Sequence, residues 1–161
     1  MIYYVLPTEK EAGNFRLMSQ GKIPKGRVES VGYKGFDEHK FTEQDVVVCI
    51  GYASGYKVEV GALVEPVYAI DAWTREVIRM DTIFPLEHRM CYTSGEKVDV
   101  PSEDFASIYD TELFGIAVRP HKRIHAIKII RDNIGGGERK EFKESDQWKK
   151  AIELIGRYVI E

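Results

Sequence analysis

The sequence predicts an α/β fold, with a mixed, mostly parallel sheet flanked by helices, and three observations carry that expectation. Residues 46–50 and 123–130 are apolar, β-branched runs that end at a glycine or at polar residues, as strands buried on both faces do. A short apolar run over residues 2–6 stops at Pro7 and passes directly into a helix-friendly segment. The C-terminal stretch carries Trp148, Ile152, Ile155 and Val159 at helical spacing, with Ala151, Leu154 and Tyr158 beside them.

Taken in order, residues 2–6 read as a strand. Residues 8–18 read as a helix in which Thr8 caps the N-terminus and Glu11 follows three residues on. Between residues 20 and 43 glycine and charge are frequent, and only 27–33 alternates as a strand does. Residues 46–50 are expected as a central strand that stops at a small-residue turn, Gly51-Tyr52-Ala53-Ser54-Gly55. Residues 61–69 and 74–80 suit either a sheet extension or the arms of a hairpin. Residues 92–101 suit a strand or bulged connection, and 110–118 a short helix with an acidic start. The strand at 123–130 is expected to end before Arg131-Asp132-Asn133, and Ser145 to cap the last helix.

Composition narrows the function. With 161 residues and 43% apolar content, the chain is sized for one domain over residues 1–161 with a single sizeable core. The 23 basic and 26 acidic residues give a net charge of −3 and a pI near 5.9, which argues against nucleic acid as a partner. No apolar run approaches a membrane span and no signal peptide is evident, so a cytoplasmic protein without membrane partners is expected. Cys49 and Cys91 have no metal-type spacing and read as small core residues of a reduced protein. His39 and His88 stand alone in polar surroundings, and no zinc-like set occurs, so neither a metal nor a cofactor is expected. The triplet 135–137 lacks the partners of a phosphate loop and reads as a mobile loop. The basic run 119–123 reads as a charged turn.

Ligands of open α/β sheets collect at the carboxyl ends of strands. The polar segments there are Thr8-Glu9-Lys10-Glu11, Gly51-Tyr52-Ala53-Ser54-Gly55, Asp110-Thr111-Glu112 and Asp132-Asn133. Their order resembles the nucleoside phosphorylase and nucleosidase family, particularly the methylthioadenosine/S-adenosylhomocysteine nucleosidases. In that family a first strand leads to glutamates, a central strand ends in Gly-x-Ala-Gly-Gly, Asp-Met-Glu opens a helix, and a later strand ends in Ser-Asp. Val5-Leu6-Pro7-Thr8-Glu9-Lys10-Glu11 is similar to the first element and Ile50-Gly51-Tyr52-Ala53-Ser54-Gly55 to the second. Asp110-Thr111-Glu112 and Ile129-Ile130-Arg131-Asp132 are similar to the third and fourth.

The resemblance implies a nucleosidase that hydrolyses the N-glycosidic bond of a purine or related nucleoside, acting as a homodimer; the alternative is a catalytically inactive relative that binds a nucleoside or nucleobase. It implies Asp132 as the acid at the departing base and Glu11 as the residue that orients or deprotonates water. Glu112 would hold the ribose hydroxyls, with Thr111, Tyr52, Ala53 and Arg131 lining the substrate site. The same acids have plainer readings: Glu11 and Glu112 as residues favoured at helix starts, Asp132 as a turn former. Arg131 replaces the family's serine. It either pairs with Asp132 and keeps it ionised, or points to the other side of the strand and leaves it free.

Overall fold

The computed structural model describes residues 1–31, 41–135 and 141–161. Among these residues eight strands and three helices run in the order β1 (Ile2–Leu6), α1 (Glu9–Ser19), β2 (Arg27–Ser30), β3 (Val46–Tyr56), β4 (Leu63–Asp71), β5 (Val77–Arg79), β6 (Glu87–Thr93), β7 (Ser107–Asp110), α2 (Leu113–Ala117), β8 (Arg123–Asn133) and α3 (Glu144–Tyr158). The sheet is mixed. Parallel pairings join β1 to β2 and β3, β3 to β8, β4 to β6, and β6 to β7, and antiparallel ones join β3 to β7, β4 to β5 and β4 to β8.

These pairings close a ring of strands, β3–β8–β4–β6–β7, returning to β3 through Ser54–Tyr56. The long strand β3 makes this possible. Its first half lies between β1 and β8, and its last three residues leave β1 behind and take β7 instead. The expected turn at 51–55 is therefore not a turn: the small residues let the strand run on to Tyr56 while changing partner. Gly51 is needed there, because a Cβ would stand 2.8 Å from Pro7 Cγ and 3.3 Å from Glu112 Oε1. Arg131-Asp132-Asn133 likewise belong to β8 itself. The register shifts at this point, with Ala53 opposite Ile130 but Ser54 opposite Asp132, so Arg131 is the extra residue of a bulge.

Alternation along β1, β3 and β8 divides the core in two. Val5, Val47, Cys49, Ile124, Ala126 and Ile130 face one cluster, which continues into the strand ring. Leu6, Val48, Ile50, Ile127 and Ile129 face the other, where α1 and α3 pack through Phe15, Trp148, Ile152 and Ile155. That is the stripe expected of the C-terminal helix. The helix starts two residues earlier than expected, with Lys143 at the N-cap making no side-chain bond, so Ser145 lies inside the first turn. At α1 the expected cap is present: Thr8 Oγ1 accepts from Glu11 N at 3.2 Å.

Three further expectations are corrected. The strand sought at 92–101 is β6, which ends at Thr93. Asp110 closes a strand, β7, and does not open the helix, which starts at Leu113. His88 is not alone, since its Nε2 lies 2.9 Å from the fully buried Glu65 carboxylate. His39 and residues 136–137 lie outside the described residues. Cys49 and Cys91 are free, buried thiols, and burial pushes Cys49 up to about 12. Among the described residues no helix is long and apolar enough to cross a membrane, and no group of His, Cys, Asp and Glu is arranged to hold a metal ion.

Candidate functional site

The carboxyl end of β1, the middle of β3 and the β7–α2 junction meet around a buried ionic cluster. Its centre is Lys128, which shares the ring-facing side of β8 with Ile124, Ala126 and Ile130 and is only 1% exposed. Its Nζ lies 2.9 Å from Asp110 Oδ2 and 2.5 Å from Glu112 Oε1. Burial works against the ammonium, but the two carboxylates more than offset it, and Lys128 titrates well above the ordinary lysine range.

Each carboxylate is also held from a second direction. Asp110 Oδ2 accepts the Leu113 backbone N–H at 2.9 Å, which ties off the start of α2, and its Oδ1 accepts Thr93 Oγ1–H at 2.6 Å. Glu112 Oε2 accepts the Thr111 hydroxyl at 2.8 Å. One cation against two carboxylates leaves this cluster with a net negative charge, and Glu11 feels it. Burial first, and then repulsion from Glu112, hold Glu11 above the ordinary carboxylate range; Thr8 and the Lys128 charge pull it back only in part. One oxygen of Glu11, Oε2, is buried with no hydrogen-bond partner. A carboxyl group in that state can act as a base toward water or accept from a ligand hydroxyl.

Glu11 opens onto a cleft of about 380 Å³ between the N-terminal ends of α1 and α3, lined also by Thr8, Lys10, Tyr52, Arg131 and Trp148. The volume is in the range of small-molecule sites. Its far wall is a stack: the Arg131 guanidinium lies 4.4 Å from the Tyr52 ring centroid, and Trp148 meets the same ring edge-on at 5.8 Å. Tyr52 Oη accepts from Trp148 Nε1 at 2.8 Å and donates to Glu144 Oε2 at 3.1 Å. Arg131 Nη2 approaches Glu144 Oε1 at 3.5 Å. A larger groove of about 690 Å³, lined by Met18, Lys22, Lys149, Ile152, Gly156 and Arg157, runs between α1 and α3. It does not include the cluster carboxylates, so its size is no argument for chemistry.

Neither a family model nor a curated protein sequence matches the chain. Solved structures do. The 5′-methylthioadenosine nucleosidase of Arabidopsis thaliana superposes with a TM-score of 0.63 at 11% identity, over 96% of this chain and 89% of that one. The fold is that of the nucleoside phosphorylases and nucleosidases. The nucleosidase-type fold is matched as well by the Chlamydia trachomatis enzyme bound to adenine, with a TM-score of 0.63 at 11% identity over 97% and 91% of the two chains. Uridine phosphorylase isoform 2 of Schistosoma mansoni gives 0.62 at 10% identity, over 97% and 84%.

Within this nucleosidase-type fold the sequence-derived site residues fall into four places. Glu11, Glu112 and Thr111 adjoin the Lys128 cluster, while Tyr52 and Arg131 stand with Glu11 around the cleft. Asp132 is not among the residues that line this cleft and accepts a hydrogen bond from Ser54 Oγ. Among the described residues no hydrogen bond or ion pair joins Asp132 to Glu11 or Glu112. Ala53 is buried on the ring-facing side and contributes to the core. Of the two orientations open for Arg131, the structure has the one pointing away from Asp132, because the bulge turns it onto Tyr52 and Glu144. Sequence reasoning missed Lys128. Its signal was present in the alternation of residues 124–130, where a lysine on an otherwise apolar face demands carboxylate partners.

Proposed function

We propose that this chain is a nucleosidase-like protein that binds a purine or related nucleoside beside the Glu11–Glu112 pair and hydrolyses its N-glycosidic bond. The carrying observation is Glu11 itself: a carboxyl group held above its ordinary range, with a buried oxygen left unpartnered, next to a second carboxylate fixed by Lys128 and Thr111. In this reading Glu11 orients and deprotonates the attacking water. Glu112 accepts from ribose hydroxyls with the lone pairs that Lys128 and Thr111 leave free, and Asp132 gives a proton to the departing base. Adenine in the Chlamydia trachomatis neighbour supports a purine as the base. A single-domain homodimer in a reducing, cytoplasmic setting is the assembly that goes with this reading.

A second reading has an observation of its own. The Ser54 hydroxyl holds Asp132, and among the described residues no hydrogen bond or ion pair links that carboxylate to the Glu11–Glu112 pair. If Asp132 stays in that bond, the departing base has no acid, and general acid catalysis is worth roughly 10²- to 10⁴-fold. Binding would survive without turnover. Chromatography of a nucleoside panel incubated with the protein separates the readings. Base release that Glu11→Gln and Asp132→Asn both abolish supports the hydrolase, whereas calorimetric binding of adenosine without release supports the silent binder. Neither binding nor release of any nucleoside would overturn both.

A further inference from the structure

We propose that the cleft beside Glu11 takes an anionic ligand, a nucleoside 5′-monophosphate, and that Arg131 and Lys10 are the groups that receive its phosphate. This rests on the nucleoside reading and sharpens it to a substrate class. The geometry of Arg131 is the main support. A guanidinium carries five N–H donors in a rigid fork suited to phosphate oxygens. Here its plane lies against Tyr52 at 4.4 Å, and among the described residues a 3.5 Å approach of Nη2 to Glu144 is the ion pair that competes for it. Tyr52 is itself held in place by Trp148 and Glu144, so the cation is presented from a rigid platform.

Lys10 lines the same cleft from α1, and among the described residues no carboxylate pairs with it. The two cations face Glu11 and Glu144 across the cleft. The two cations offset these two carboxylates, so the lining carries no net negative charge to repel a phosphate. Glu11, which lines the same cleft, gives the sugar hydroxyls at the other end of such a ligand a carboxylate acceptor. A volume of about 380 Å³ accommodates both parts.

The test is calorimetric titration with adenosine, adenosine 5′-monophosphate, ribose 5-phosphate and inorganic phosphate, repeated with Arg131→Gln and Lys10→Gln. The monophosphate is expected to bind about tenfold or more tighter than adenosine, the scale of charge-assisted hydrogen bonds. Either substitution should cut that ratio to about threefold or less, and added salt should erode it. Equal binding of adenosine and its monophosphate overturns the anion site while leaving the nucleoside reading in place. Binding of ribose 5-phosphate as tight as that of the monophosphate supports the anion site and removes the base from the nucleoside reading. A monophosphate preference that survives both substitutions places the phosphate elsewhere and overturns the assignment, and no binding of any probe overturns both proposals.

Discussion

The two faces of β8 are buried to the same degree and held together differently. Toward α1 and α3, Ile127 and Ile129 meet Phe15, Trp148, Ile152 and Ile155, and the stabilisation comes from apolar area removed from water. Toward the strand ring, Lys128 meets Asp110 and Glu112, and there the same burial is unfavourable unless every charge keeps its partner. An apolar face tolerates the loss of a methylene at modest cost. An ionic cluster does not tolerate the loss of one member, and it transmits its charge to whatever stands nearby, in this molecule Glu11.

The sharpest way to break that contrast is Lys128→Met, which keeps the length of the side chain and removes its charge. Two buried carboxylates lose their counter-ion, and a destabilisation of about 3–5 kcal/mol is expected by chemical denaturation at neutral pH. The lysine titrates above its unfolded value, so its contribution is complete below that value and is lost as the pH rises through the folded one. The deficit of the variant should therefore narrow only in strong alkali. On the apolar face, Trp148→Ala should cost about 3 kcal/mol, the low end for a buried aromatic, because the indole borders the cleft. Unlike the lysine variant, this deficit should not change with pH above neutrality. A loss under about 1 kcal/mol for either variant would put that side chain outside the core.

Two smaller effects probe the entry to the site. Thr8→Ala removes the bond that Glu11 N donates to Thr8 Oγ1 and should cost about 1 kcal/mol. Glu11→Gln is read through its pH dependence. The folded Glu11 titrates above its unfolded value, so the native state binds more protons between the two, and ionising it weakens the native state as pH rises through that window. The wild type should therefore gain on the variant as the pH is lowered from neutral to below the ordinary carboxylate range. The opposite slope in paired denaturation curves would show that Glu11 is stabilised as an anion.

The apolar face was the part legible in the sequence. Helical spacing of Trp148, Ile152 and Ile155, the β-branched runs around Val48 and Ile127, and the Thr8 cap are local signals, and local signals carry to the fold. What escaped was non-local. That β3 continues past Gly51 depends on β7 arriving from more than fifty residues away to replace β1, and no feature of Gly51–Gly55 encodes that arrival. β7 itself, four residues long, is too short for its pattern to stand out. At the site, motif order singled out Glu11, Glu112, Thr111, Tyr52 and Arg131. It did not reveal that Arg131 is a bulge residue stacked on Tyr52, or that Asp132 would take Ser54 as its hydrogen-bond partner.

The central claim is that a nucleoside binds beside the Glu11–Glu112 pair, and amide chemical-shift mapping during titration with adenosine tests its location most directly. The account predicts that the largest perturbations fall at Glu11, Gly51, Thr111 and Glu112 and at Tyr52 across the cleft. Perturbations centred on Lys22, Lys149 and Arg157 in the α1–α3 groove, or none at saturating adenosine, would contradict it.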